Sequence, residues 1–222
     1  FEMAALEKAA AETKEETGIS FEFAAEGTVT EITATGIGAH ASTPDVGNNA
    51  LTGLLVFLGK LDFASCPQVD MVRKTASLFP HGDVNGKTLG VAMEDELSGN
   101  LTLSFNMLSV DAASMDGEFD GRIPVCGNDE NVLEVVRARM AEQGLTLLNK
   151  ALIPPHHVSA DSYFVKTLLA AFELYTGRKG ECQALGGGTY VHHLENGVAF
   201  GAAMPETDNK MHGPDEFAVV DE

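Results

Sequence analysis

Four groups of residues in this chain have types and spacing suited to chemistry. The first is the run Gly186, Gly187, Gly188, Thr189 and Tyr190. Three consecutive glycines let backbone N–H groups approach an anion, because no Cβ blocks the way and positive φ costs little. The second is His212, followed by Gly213, Pro214, Asp215 and Glu216, which can serve as a metal ligand on a stiff loop. His40, the third, follows Gly38 and Ala39 and precedes Ser42, Thr43 and Pro44. A histidine in such a polar loop can present a ring N–H to a developing oxyanion or to a carboxylate oxygen. The fourth is Arg122, beside Pro124, whose planar fork suits bidentate binding of a carboxylate. Each has an ordinary alternative. Glycine triplets form turns, lone histidines sit on surfaces, and a strand-end arginine pairs with a nearby acid. Together the four point to a site that grips a carboxylate beside a cation.

Other chemistries lack their signatures. The glycine triplet has neither the GxGxxG nor the GxxxxGK[ST] spacing of nucleotide loops. Ser42 lacks the GxSxG elbow, and no catalytic-cysteine signature surrounds Cys126. His156 with His157, and His192 with His193, are adjacent pairs whose side chains diverge, so neither pair makes a good two-ligand clamp. The run Glu94, Asp95, Glu96 reads as a solvated loop.

Composition bounds the partners. Acidic residues outnumber basic ones 33 to 14 in 222 residues, a formal charge of −19, which argues against contact with nucleic acid. No apolar run approaches the ~20 residues that span a bilayer, so no membrane partner and a soluble protein are expected. The cysteines, Cys66, Cys126 and Cys182, form no CxxC pair, and reduced thiols in a cytoplasmic setting are expected. The chain opens at Phe1 inside a helical pattern and stops at Glu222 after a strand-like run, from which a piece of something longer is expected.

The elements that must position these residues alternate between helix and strand periods. Met3 to Thr17 is rich in helix formers and stops at Gly18. Thr28 to Ile37 alternates as a strand, and Asn48 or Asn49 caps a helix from Ala50 to Leu61 that is apolar nearly all round. Cys66 to Leu97 has no clear pattern, with a loop or hairpin from Gly82 to Gly90. Asn100 to Val110 reads as a strand with Leu101, Leu103, Phe105 and Met107 on one face, followed by a strand from Gly117 to Ile123. Asn128 caps a helix ending near Gly144, and Leu145 to Ile153 reads as a further strand, an order that parallels residues 28–110 and suggests an internal duplication. Pro154 and Pro155 mark a boundary. Beyond it, Ser162 to Tyr175 is an amphipathic helix with Phe164, Leu168, Leu169, Phe172 and Tyr175 inward, and Val198 to Gly201 is strand-like. The fold class expected is α/β or α+β.

Four segments in this order resemble the two-zinc dipeptidases of the dipeptidase V type, in the aminoacylase and carnosinase group of metallopeptidases. They are Gly38 to Pro44 with Gly47 to Ala50, then Gly121 to Pro124, then Gly186 to Tyr190, and finally Asn196 to Gly201 leading to His212 to Glu216. The resemblance implies an α+β lid domain over 1–154 and the C-terminal part of an α/β zinc-peptidase catalytic domain over 155–222. It implies that His40 polarises the scissile carbonyl of a dipeptide substrate, and that Arg122 with Gly187, Gly188 and Thr189 holds the substrate carboxylate. His212 would be one ligand of a two-zinc centre, with manganese or cobalt as alternatives. Family members carry, in an N-terminal half, an HxD motif, a bridging Asp, a Glu-Glu pair and another acidic ligand, none of which is found here. A catalytic zinc needs about three protein ligands, so the chain by itself is expected to be inactive. The alternative is a non-catalytic carboxylate-binding or interaction module left from a split or decayed peptidase gene.

Overall fold

Helix α1 spans Met3–Thr17 and ends where Gly18, in the left-handed conformation, donates its N–H to the Lys14 carbonyl. The computed structural model describes residues 1–201, 204, 206–207, 209–210 and 215–220, which form a mixed α+β chain of helices and small antiparallel sheets. They fall into two compact units, Phe1–Pro154 and Pro155–Glu222.

In the first unit, β1 (Ser20–Glu26) and β2 (Val29–Thr35) form a hairpin with Glu26 opposite Val29. Sequence patterning identified β2 and missed β1, although Phe21, Phe23 and Ala25 alternate there. Helix α2 (Ala50–Gly59) begins where the Asn49 side chain accepts the Thr52 N–H. Helix α3 (Pro67–Leu78) lies in the stretch without clear pattern; its signal is Pro67 in the first turn, where a missing N–H costs nothing. A short pair, β3 (Glu94–Asp95) and β4 (Gly99–Asn100), precedes the antiparallel hairpin of β5 (Thr102–Val110) and β6 (Met115–Arg122). Asn128 then caps a π-turn, Asp129–Leu133, leading into α4 (Glu134–Glu142).

Helix α2 is apolar all round because it serves two cores. Phe57 packs with Leu6, Ala9 and Leu61 against Phe21, Phe23 and Ile32 of the first hairpin. Leu55, two residues away, belongs to the larger core with Phe79, Leu101, Leu103, Phe105, Val132 and Val136. Each fully buried Leu, Val or Phe among them contributes about 1.5–3 kcal/mol relative to exposure.

Two expectations for this unit are corrected. Met107 does not share the inner face with Phe105, because the register shifts between them and leaves Met107 59% exposed. Leu108 packs on the core instead. Residues 145–153 are not a strand: Arg137 donates to the Leu147 and Asn149 carbonyls, and a side chain thus takes acceptors that a ladder would use.

The second unit contains α5 (Tyr163–Thr176), capped by Ser162 and stopped at Gly177. Its buried face centres on Val165, with Leu168, Leu169 and Phe172 half-buried; Phe164 and Tyr175, expected inward, are exposed. Val198 to Gly201 is not a strand, and among the described residues this unit has none for it to pair with.

Candidate functional site

His40 sits on a loop closed at its base by an antiparallel bridge between Ile37 and Asn48, whose N–H and carbonyl groups bond reciprocally at 2.9 and 2.8 Å. Glycine is required on both sides of that bridge. A Cβ on Gly36 would collide with the Asn48 carbonyl oxygen, and one on Gly47 would lie 2.7 Å from the Ala39 Cβ and 2.8 Å from the Ile37 oxygen. Within the loop, the Thr43 N–H donates to the His40 carbonyl at 2.9 Å. The half-buried His40 ring places Nδ1 2.7 Å from Ser42 Oγ.

Arg122 ends β6. Its Nη2 donates to Asp120 Oδ2 at 2.8 Å, and its Nε lies 2.6 Å from Asp120 Oδ1. The Nε–H is not directed at that oxygen, so the second contact is an ion pair and not a second hydrogen bond. The strand-end ion pair is therefore present. It covers the Nε–Nη2 edge of the guanidinium and leaves the Nη1 end, which donates to none of the described residues, as the edge a ligand carboxylate can use.

The β5–β6 register brings these two residues into relation. Thr102 stands opposite Arg122, and residues directly opposite in a ladder project from the same sheet face. Thr102 Oγ1 donates to the Ala41 carbonyl at 2.9 Å, which ties the His40 loop to that face. The backbone of the His40 loop is thus tied to the hairpin face from which Arg122 projects. Asp120 has a sequence signal, since i and i−2 share a strand face; Thr102, sixty-one positions from its partner, has none.

In the second unit, Gly186 and Gly187 form an exposed bend that Gly188, also exposed, follows. None of the three adopts positive φ, and the Gly187 N–H donates to the Leu185 carbonyl at 3.0 Å. The triplet is a turn here, without the alternating backbone of an anion nest. Space is open beside it, since a Cβ on Gly188 would meet nothing within 4 Å. Thr189 is half-buried, and its carbonyl accepts the His192 N–H at 3.0 Å.

His156, His192 and His193 come together as rings with centroids 5.7 and 5.4 Å apart, and His156 Nε2 donates to the Gly197 carbonyl at 2.7 Å. Among the described residues no group of three or more His, Cys, Asp or Glu side chains could hold a metal ion. His212 lies outside the described residues. The described residues therefore do not by themselves fit a metal centre.

Asp95 organises the run read as a solvated loop. Its carboxylate accepts the N–H groups of Leu97, Ser98 and Cys126 and the Ser98 hydroxyl. The Ser98 amide, with Cys126 and the others, lowers its pKa to about 2. Partial desolvation, reinforced by Asp95, pushes the exposed Cys126 thiol up, away from nucleophilic use. Among the described residues, no helix is long and apolar enough to cross a membrane.

No protein-family model matches the chain. It is 33% identical over 193 residues to the Beta-Ala-Xaa dipeptidase of Lactobacillus delbrueckii subsp. lactis, covering 86% of this chain and 40% of that protein. It is 36% identical over 192 residues to the putative dipeptidase YtjP of Bacillus subtilis, covering 84% of this chain and 40% of that protein. A putative dipeptidase of Staphylococcus epidermidis is 29% identical over 188 residues, 84% of this chain and 39% of its own length. The chain thus spans about 40% of the length of the curated relatives it matches.

Proposed function

The chain is a homologue of proteins named dipeptidases, and from that premise we propose that it supplies the lid and the C-terminal catalytic segment of a metal-dependent dipeptidase. The observation that carries this reading is the shared face of the His40 loop and Arg122, fixed by Thr102. His40 would donate a ring N–H to the oxyanion that develops as the peptide carbonyl is attacked. Arg122 would pair through its open end with the terminal carboxylate of the substrate. Holding that carboxylate at a set reach from the scissile bond favours dipeptides over longer peptides. The metal, two zinc ions on the resemblance, would be held by His212 and by acidic ligands from outside this chain. The chain alone is then inactive.

The test joins this chain to the N-terminal portion of a relative and measures hydrolysis of dipeptides and of their C-terminal amides. Activity that depends on zinc supports the enzyme; none, with His40 and His212 intact, leaves only a carboxylate-binding module. Arg122→Lys is expected to lower kcat/KM on dipeptides about 10- to 100-fold, the worth of hydrogen bonds to a charged group, and to change little on the amides. Equal losses on both would remove Arg122 from the carboxylate site.

A further inference from the structure

Ser42 holds one ring nitrogen of His40. Nδ1 lies 2.7 Å from the Ser42 Oγ and 3.3 Å from the Ser42 backbone nitrogen, whose N–H is directed at it. A backbone N–H can only donate, so Nδ1 is the acceptor. A proton on Nδ1 would oppose that amide proton. The Ser42 hydroxyl therefore donates to the same lone pair, and the neutral imidazole carries its proton on Nε2. Nε2–H is the donor an oxyanion requires.

The loop leaves Ser42 little freedom to do otherwise. The Thr43 N–H is bonded to the His40 carbonyl at 2.9 Å, and the Ala41 carbonyl is bonded to Thr102 at 2.9 Å, so the residues on each side of Ser42 are anchored. The hydroxyl is also on the wrong nitrogen for a nucleophile. In a serine–histidine pair the hydroxyl bonds Nε2 and a carboxylate orients Nδ1. Here Ser42 itself takes the orienting position.

We propose that Ser42 is a positioning residue: its hydroxyl and amide together clamp His40 Nδ1, fixing the Nε2–H tautomer and the direction of the ring. The proposal deepens the reading of His40 as the oxyanion donor and rests on it for its catalytic consequence. The clamp itself is testable without any activity.

Nitrogen-15 NMR of the histidine-labelled 222-residue chain at about pH 8.5, two units above the ordinary histidine pKa of ~6.5, reads the tautomer directly. The His40 resonances are expected to show a bare, hydrogen-bonded Nδ1 and a protonated Nε2. Ser42→Ala, which leaves only the longer amide bond on Nδ1, is expected to move the Nδ1 resonance and weaken the preference for the Nε2–H tautomer; Ser42→Thr, which keeps hydroxyl and amide, is expected to restore the wild-type pattern. A wild-type ring protonated on Nδ1, or a Ser42→Ala spectrum identical to wild type, overturns the proposal. In the chain joined to the N-terminal portion of a relative, Ser42→Ala should lower kcat about 3- to 10-fold with KM unchanged, and Ser42→Thr should retain kcat. A fall confined to KM would also overturn it. If the joined wild-type protein cleaves no dipeptide while the NMR pattern holds, the dipeptidase reading falls and the clamp stands.

Discussion

Thr102 lies directly across the β5–β6 ladder from Arg122 and at the same time donates its hydroxyl to the backbone of the His40 loop. One threonine therefore links the two side chains expected to meet a substrate in this unit. Thr102→Val keeps the β-branched shape that suits the strand and removes only the hydroxyl. The Ala41 carbonyl then loses its partner, at a cost of about 1 kcal/mol. Hydrogen exchange should quicken at the Thr43 and Asn48 amides, which close the loop, and stay unchanged in α4. Unchanged exchange at Thr43 and Asn48 would show that the hydroxyl does not hold the loop.

Gly53 lets α2 lie against Ile19, which is completely buried; a Cβ there would collide with Ile19 Cγ1. An alanine gains about 1 kcal/mol of helix propensity. Overpacking against a fully buried side chain costs about 1–3 kcal/mol. The second effect is expected to win, so Gly53→Ala should lower the denaturant midpoint at unchanged m-value. A stabilised variant would mean that α2 and Ile19 separate easily.

Asp95 gives a pH dependence of known sign. Its pKa falls to about 2 chiefly through the Ser98 amide, whereas in an unfolded chain it lies near ~3.9. A lowered folded-state pKa means stability that is present above about pH 4 and lost as pH falls toward 2. The amide signals of Ser98 and Cys126 are expected to titrate with a midpoint near pH 2, and not near 4. Asp95→Asn should abolish that titration and, by removing a neighbouring negative charge, speed alkylation of Cys126 at neutral pH.

How legible these elements were depends on where their partners lie. The caps of α2 and α5 are local: Asn49 and Ser162 accept from amides three residues ahead, and the chain alone offered Asn48 or Asn49 as the first cap and placed the start of the second helix at Ser162. The opposite case is Met107. Its alternation with Phe105 is regular in sequence, yet a register shift that depends on the pairing with β6 turns it outward. Residues 145–153 and 198–201 have the apolar character of strands, but a strand exists only where another offers its ladder. Neither segment has such a neighbour among the described residues.

The sequence by itself determined which groups could act: a histidine in a Gly-Ala-His-Ala-Ser loop, a lone strand-end arginine, a glycine run, and a helix apolar enough to serve two cores. Only the tertiary structure decided that the loop and the arginine share a face, that Asp120 occupies one edge of the guanidinium, and that Ser42 holds the inner nitrogen of the ring. Residue type sets what a group can donate or accept. Direction is set by cross-strand register and by bonds between residues far apart in the chain, which no local pattern encodes.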